Sequence, residues 1–128
     1  MQQQLHPKSQ EAKLTLLTDE IREAMLANGR ANADREETTD FKPVVRLFFP
    51  WGAATWLLTE LDPKNPDIAF GLCDLGMGCP ELGYVSLEEI ESVRFPGGIG
   101  VERDLRFVAT KTLSEYADEA HRLGHINA

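Results

Sequence analysis

Histidine, cysteine and, over one long stretch, basic residues are scarce in this chain. His6, His121 and His125 lie near its two ends, and Cys73 and Cys79 are its only cysteines. Two thiols do not make a disulfide framework, and they fit a reducing compartment. A structural zinc site needs four soft ligands closing a tetrahedron, and no third cysteine or histidine stands at ligand spacing from these two. His121 and His125 have the helical metal spacing, but Gly124 interrupts the helix between them and Arg122 repels a cation. No metal and no cofactor are therefore expected. Ser86, Ser92 and Ser114 have no paired base, which argues against a nucleophilic hydrolase. No apolar run approaches the ~20 residues of a membrane span, so no membrane partner is expected. The start, Met1 to Lys8, lacks a positive region followed by an apolar core, unlike a secretory signal. The expectation is a cytoplasmic, bacterial-type small domain.

Bases are missing where acids gather. Residues 60 to 91 hold eight acids and one base, Lys64, while the whole chain carries a net charge of −8. The two flanking stretches are nearly neutral, so the acidity is regional. A regional field of one sign bears on partners rather than on fold. It disfavours nucleic-acid phosphates, which need a basic face, and it suits a basic protein surface. The candidate partner-binding acids are Glu60, Asp62, Asp67, Asp74 and Glu81, and none of them is assigned a catalytic role.

What the chain does contain is enough for one globular domain. Its 128 residues are 42% hydrophobic and 27% charged, the balance of a soluble, folded chain. Residues 1–13 are polar and expected to fray, residues 14–123 form the domain, and 124–128 are a C-terminal tail. Leu17, Ile21, Ala24 and Met25 recur at helical spacing behind Thr18 as N-cap, with Asp19 and Glu20 in the first turn. Asn28-Gly29 is the expected stop, and residues 30–42 read as an extension or mobile loop, the one stretch expected to be disordered. Four strand-like runs follow: Val44–Phe49, Ala54–Glu60, Ile68–Cys73 and Leu82–Val85. Their short linkers suit antiparallel neighbours. In the third run Ile68, Phe70 and Leu72 share one face. Ala69, Gly71 and Cys73 share the other, a small-residue surface open to a helix or to a ligand.

Ser86-Leu-Glu-Glu89 and Thr112-Leu-Ser-Glu115 both have the pattern of a capping box. The first opens a short helix closed by Pro96-Gly97-Gly98. The second opens a helix with Leu113, Tyr116, Ala117, Ala120 and Leu123 on one stripe and Gly124 as its stop. Between them Leu105–Ala109 reads as a last strand with Leu105, Phe107 and Ala109 inward. The fold class is α+β: an antiparallel sheet of four to five strands with helices packed on one face.

Two further signals are weak. Gly76–Gly83 contains a G-x-G, but a strand follows rather than the helix N-terminus a phosphate loop needs, so it reads as a hairpin connection. Glu102-Arg103-Asp104 reads as a local ion-pair cluster, worth little if exposed. Trp51, Trp56, Phe48, Phe49 and Tyr84 lack the lysines and arginines of a single-strand nucleic-acid platform. Most of these rings are assigned to the core, with one tryptophan exposed.

The segments Ala54–Asp62, Asp67–Gly76, Pro80–Leu87 and Glu102–Leu105, in this order and spacing, resemble an uncharacterised bacterial family, domain of unknown function 2958. The resemblance covers roughly residues 14–123. It implies a small stand-alone protein, often encoded on plasmids and other mobile elements near DNA-processing genes. The family has no assigned activity, so it supplies no catalytic residues. The resulting expectation is a non-catalytic accessory module that presents an acidic surface to a basic partner. The alternatives are a divalent-cation-dependent enzyme with a carboxylate-lined cleft, although no D-x-D-x-D-G loop is present, and a DNA mimic inhibiting a DNA-processing protein.

Overall fold

The computed structural model describes residues 16–94 and 97–128. The expected frayed terminus and Pro96 stop lie outside the described residues. Helix α1 spans Asp19–Asn32, capped by Thr18, whose hydroxyl accepts the Ile21 amide at 3.1 Å. Strands β1 (Val45–Phe48), β2 (Thr55–Asp62), β3 (Asn65–Asp74) and β4 (Glu81–Ser86) follow, and then helix α2 (Leu87–Ser92). A two-residue strand β5 (Glu102–Arg103) and helix α3 (Leu113–Leu123) complete the chain. The five strands form one antiparallel sheet in the order β4-β3-β2-β1-β5. The α+β class and the antiparallel sheet are those expected from sequence.

The helices do not share one face of the sheet. Leu57 and Leu58 are adjacent in β2 and both fully buried, and successive strand residues point to opposite faces. Leu58 belongs to a cluster with Met25 of α1, Leu87 and Ile90 of α2, and Val45, Leu47, Leu61 and Ala69 of the strands. Leu57 belongs to a second cluster with Leu72 and with Leu113, Tyr116, Ala117 and Ala120 of α3. Helices α1 and α2 thus cover one face and α3 covers part of the other. The small-residue face of β3 receives helices: Ala69 and Cys73 pack in the cluster built by α1 and α2.

Three other expectations are corrected by packing. Helix α1 runs past Gly29 to Asn32. A Cβ on Gly29 would stand 1.9 Å from the Leu61 carbonyl oxygen, so glycine serves close approach of helix to strand rather than a stop. The strand expected at Leu105–Ala109 is absent. Pairing with β1 ends at Asp104, whose amide donates to the Arg46 carbonyl at 2.9 Å, because its carboxylate accepts the Arg106 amide at 3.0 Å and turns the chain. Leu105 is exposed, while Phe107 and Ala109 rest against the second cluster. The expected local cluster at Glu102–Asp104 draws in Arg46 of β1, which pairs with Asp104 at 3.1 Å.

The two capping boxes diverge. Thr112 and Glu115 exchange both bonds. At α2 the Ser86 hydroxyl accepts the Glu89 amide at 3.2 Å, but the return bond from Glu89 is not made. Asp67 of β3 substitutes: it accepts the Ser86 hydroxyl at 2.6 Å and the Glu88 amide at 2.9 Å. The tail after Gly124 is also tied down, since the Ile126 amide donates to Asp74 at 3.0 Å.

Two substitutions test this packing by chemical denaturation. Ser86→Ala should cost about 1 kcal/mol by stripping the α2 cap. Gly29→Ala should destabilise by about 1–3 kcal/mol through overpacking against Leu61, although alanine is the better helix former. A stabilised Gly29→Ala would show that α1 does not seat on β2 at this residue.

Candidate functional site: an acidic, aromatic groove

Helix α3 leaves one part of its sheet face uncovered. Phe70 of β3 and Tyr84 of β4 are direct cross-strand partners, with ring centroids 5.0 Å apart and planes tilted by 55°. Tyr84 is 72% exposed and Leu82, on the same face, is 44% exposed. Two hollows open here, of about 370 and 400 Å³. Both are walled by Glu60 and Phe70, so they adjoin as two halves of one groove divided at these side chains. Its first half runs between the end of α1 and the β2–β3 hairpin. Its second half lies beneath residues 38–41, which lead to the start of α3.

Carboxylates surround these rings. Asp34, Glu60 and Asp62 line the first hollow and Asp40 the second, against one ammonium, Lys64. Asn32, in the last turn of α1, holds the arrangement together. Its side-chain amide donates to Glu60 at 2.7 Å and to the Thr39 carbonyl at 3.1 Å. Its carbonyl oxygen accepts the Thr39 amide at 2.8 Å. Asn28, one helical turn earlier, donates to the Thr59 carbonyl at 2.9 Å. Asp34 then turns the chain with a φ of 57°, a left-handed conformation that aspartate tolerates better than most residues. At the far end Asp40 accepts the Ser114 amide at 3.1 Å and the Ser114 hydroxyl.

The two loop-linked carboxylates respond oppositely. Burial raises the Glu60 carboxyl above its ordinary value, and the Asn32 bond offsets this only in part. Burial also acts upward on Asp40, but the bonds from Ser114 and Thr112 outweigh it and hold that carboxyl below its ordinary value. Glu60 is therefore a half-buried acid with one hydrogen bond, and a cation entering the groove would supply its missing compensation.

The sequence profile of the family described as protein of unknown function (DUF2958) matches residues 16–127. The chain belongs to that family. No curated protein and no solved structure matches the chain. The DUF2958 description names no activity, so the groove has to be read from its own residues.

Of the five acids singled out from sequence, the structure brings only Glu60 and Asp62 to the groove. Asp62 caps the β2–β3 turn, accepting the Lys64 amide at 2.9 Å, and still lines the first hollow. Asp67 is committed to the α2 cap. Asp74 ends β3, four residues beyond Phe70, the register partner of Glu60, and so roughly 13 Å further along the strand. It is 3% exposed and accepts the amides of Gly76 at 2.8 Å and Ile126 at 3.0 Å. Glu81, beside Cys73 in register, is exposed at that same end. The five acids thus form no single face, and Asp74 and Glu81 do not line a common cleft. Among the described residues no group of three or more His, Cys, Asp or Glu side chains could hold a metal ion.

The groove's other members, Asp34, Asp40, Phe70, Leu82 and Tyr84, carry no sequence motif. Their one visible signal is the alternation that sets Phe70 and Leu72 on one face of β3. Among the other aromatics Trp56 and Phe49 are buried and Trp51 is 76% exposed, as expected, but Tyr84, assigned to the core, lies exposed because its face of β4 is left largely uncovered. Burial pushes the Cys73 thiol up to about 11, so it stays protonated and is a poor nucleophile at neutral pH.

Glu60 gives a test with a definite sign. Its folded state holds the proton more tightly than the unfolded chain, whose value is near 4.5. Its contribution to stability is fullest below that value and is lost as pH rises through the folded one. Glu60→Gln should therefore flatten the fall in stability above pH 4.5, as measured by denaturation at a series of pH values. In a carboxyl NMR titration, Asn32→Ala should move Glu60 further upward. A downward move would mean that Asn32 does not stabilise the ionised form.

Proposed function

We propose that this protein is a non-catalytic accessory module that binds a basic protein surface, acting in the bacterial cytoplasm for a mobile element. The observation that carries this reading is the acidic, aromatic groove. An exposed tyrosine ring beside a half-buried phenylalanine, flanked by carboxylates, suits lysine and arginine side chains, which pack their stems on apolar surface and set their charge over an aromatic face. The carboxylates add steering, because complementary patches chiefly speed association, and they do so less as salt rises. The same groove is unsuited to phosphate backbones, which its acids repel. The mobile-element part of the reading is supported by the resemblance set out above for the family.

The experiment is affinity capture from a bacterial host lysate, followed by measured association with the partner recovered. Wild type is compared with Glu60→Gln, Asp62→Asn, Tyr84→Ala at low and high salt. All three side chains lie at the groove surface, so the fold should persist, and circular dichroism checks this. The expected result is one recurrent basic partner whose association slows several-fold in the triple variant at low salt and much less at high salt. Association indifferent to both the substitutions and the salt would defeat this reading. So would tight binding of duplex DNA by the wild type.

A further inference from the structure

The sheet has two edges, and they are not alike. Strand β5 is a two-residue edge that ends at a turn. Strand β4 is six residues long and, among the described residues, pairs only with β3. Among the described residues nothing else bonds to the backbone of Glu81–Val85. An edge of this length is a template for further pairing, and natural edges are commonly blunted by lysine, proline or a covering element. Pro80 precedes β4, but within the strand there is neither proline nor lysine. The exposed side chains beside the edge on the groove face are Leu82 and Tyr84. On the opposite face a Cβ at Gly83 would meet nothing within 4 Å, so the side chains of an added strand have room there.

The charge around this edge has one sign. From residue 65 to residue 93 the sequence contains six acids, Asp67, Asp74, Glu81, Glu88, Glu89 and Glu91, and no lysine or arginine. Glu81 starts the edge strand, and Glu88 and Glu89 stand exposed in the first turn of α2, which follows directly from it. A second copy of this chain would bring the same acids against themselves. A nucleic acid would be repelled. An extended segment bearing lysine or arginine satisfies both the unpaired backbone and the charge.

We infer that β4 accepts an extended, basic segment of a partner protein as a sixth strand. Backbone bonds to β4 supply pairing without regard to sequence, and alternate side chains supply selection. One set lies beside Leu82 and Tyr84, where an apolar stem ending in a cation covers the tyrosine ring. The other set lies over Gly83, within reach of Glu81. The preferred segment therefore alternates basic residues with β-branched or aromatic ones. This inference rests on the acidic-surface reading for its choice of charge, while the pairing itself depends on the open edge alone.

The test uses the full chain immobilised against a displayed library of short random peptides, followed by hydrogen exchange on the protein with the selected peptides bound. The expected result is enrichment of basic residues at period two, together with slowed exchange at alternate amides of residues 81–86. Tyr84→Lys, which sets a like charge beside the added strand and leaves the β3 pairing in place, should weaken these peptides several-fold. Basic peptides without that period, which bind with no change in the β4 amides and are weakened by Glu60→Gln, would overturn strand addition and leave the acidic surface standing. Charge-free period-two peptides that protect β4 would instead defeat the acidic-surface reading while strand addition survives. Selection that enriches no peptide overturns the inference.

Discussion

Leu57 and Leu58 stand side by side in β2, point to opposite faces of the sheet, and are both out of contact with water. A strand apolar on both faces has to be covered on both, and this requirement organises the molecule. Helix α1 meets the Leu58 side and α3 the Leu57 side. The chain must consequently pass from one face to the other between Ala33 and Pro43, and again between Val93 and Lys111. Each fully buried leucine adds roughly 1.5–3 kcal/mol of hydrophobic stabilisation, and neither half of that gain exists unless the crossing segments hold their course.

Polar side chains fix the crossings. Asn32 clips the first to Glu60 and Thr39, Asp40 fastens it to the start of α3, and the Leu113 amide donates to the Phe41 carbonyl at 2.9 Å. Asp104 turns the second after its bond with Arg46. The groove is a by-product of the same geometry. An eleven-residue α3 covers Leu57 and Leu72 but touches β4 only at its margin and leaves Leu82 and Tyr84 exposed, and the first crossing roofs only part of what remains. The acids that fasten that crossing line the hollow it leaves.

Much of the secondary structure was legible in single residues. Thr18, Ser86 and Thr112 marked three helix starts, because a hydroxyl acceptor for orphan amides is a local requirement. Gly124 marked an end through its left-handed φ of 83°. Alternation exposed the faces of β3. The errors have long-range causes. Gly29 looked like a stop and proved to be a contact with Leu61, thirty-two residues on. Leu105–Ala109 had a strand's composition, but Asp104 turned it away from the β1 edge. Asp67 and Asp74 looked like surface charge, yet each accepts bonds from groups brought near by the fold.

By itself the sequence determined the α+β class, the helix starts, the antiparallel order of neighbours and the strong regional acidity. Those properties depend on local chemistry and on periods of two and 3.6 residues. Tertiary structure alone decided that helices lie on both faces, that Glu60 and Asp62 join Asp34 and Asp40 around Phe70 and Tyr84, and that β4 is the long edge left open among the described residues. These features turn on which strand ends the sheet and on which buried atoms lie opposite one another. Neither property is carried by any one segment, since each arises only when residues distant in the chain compete for the same contact.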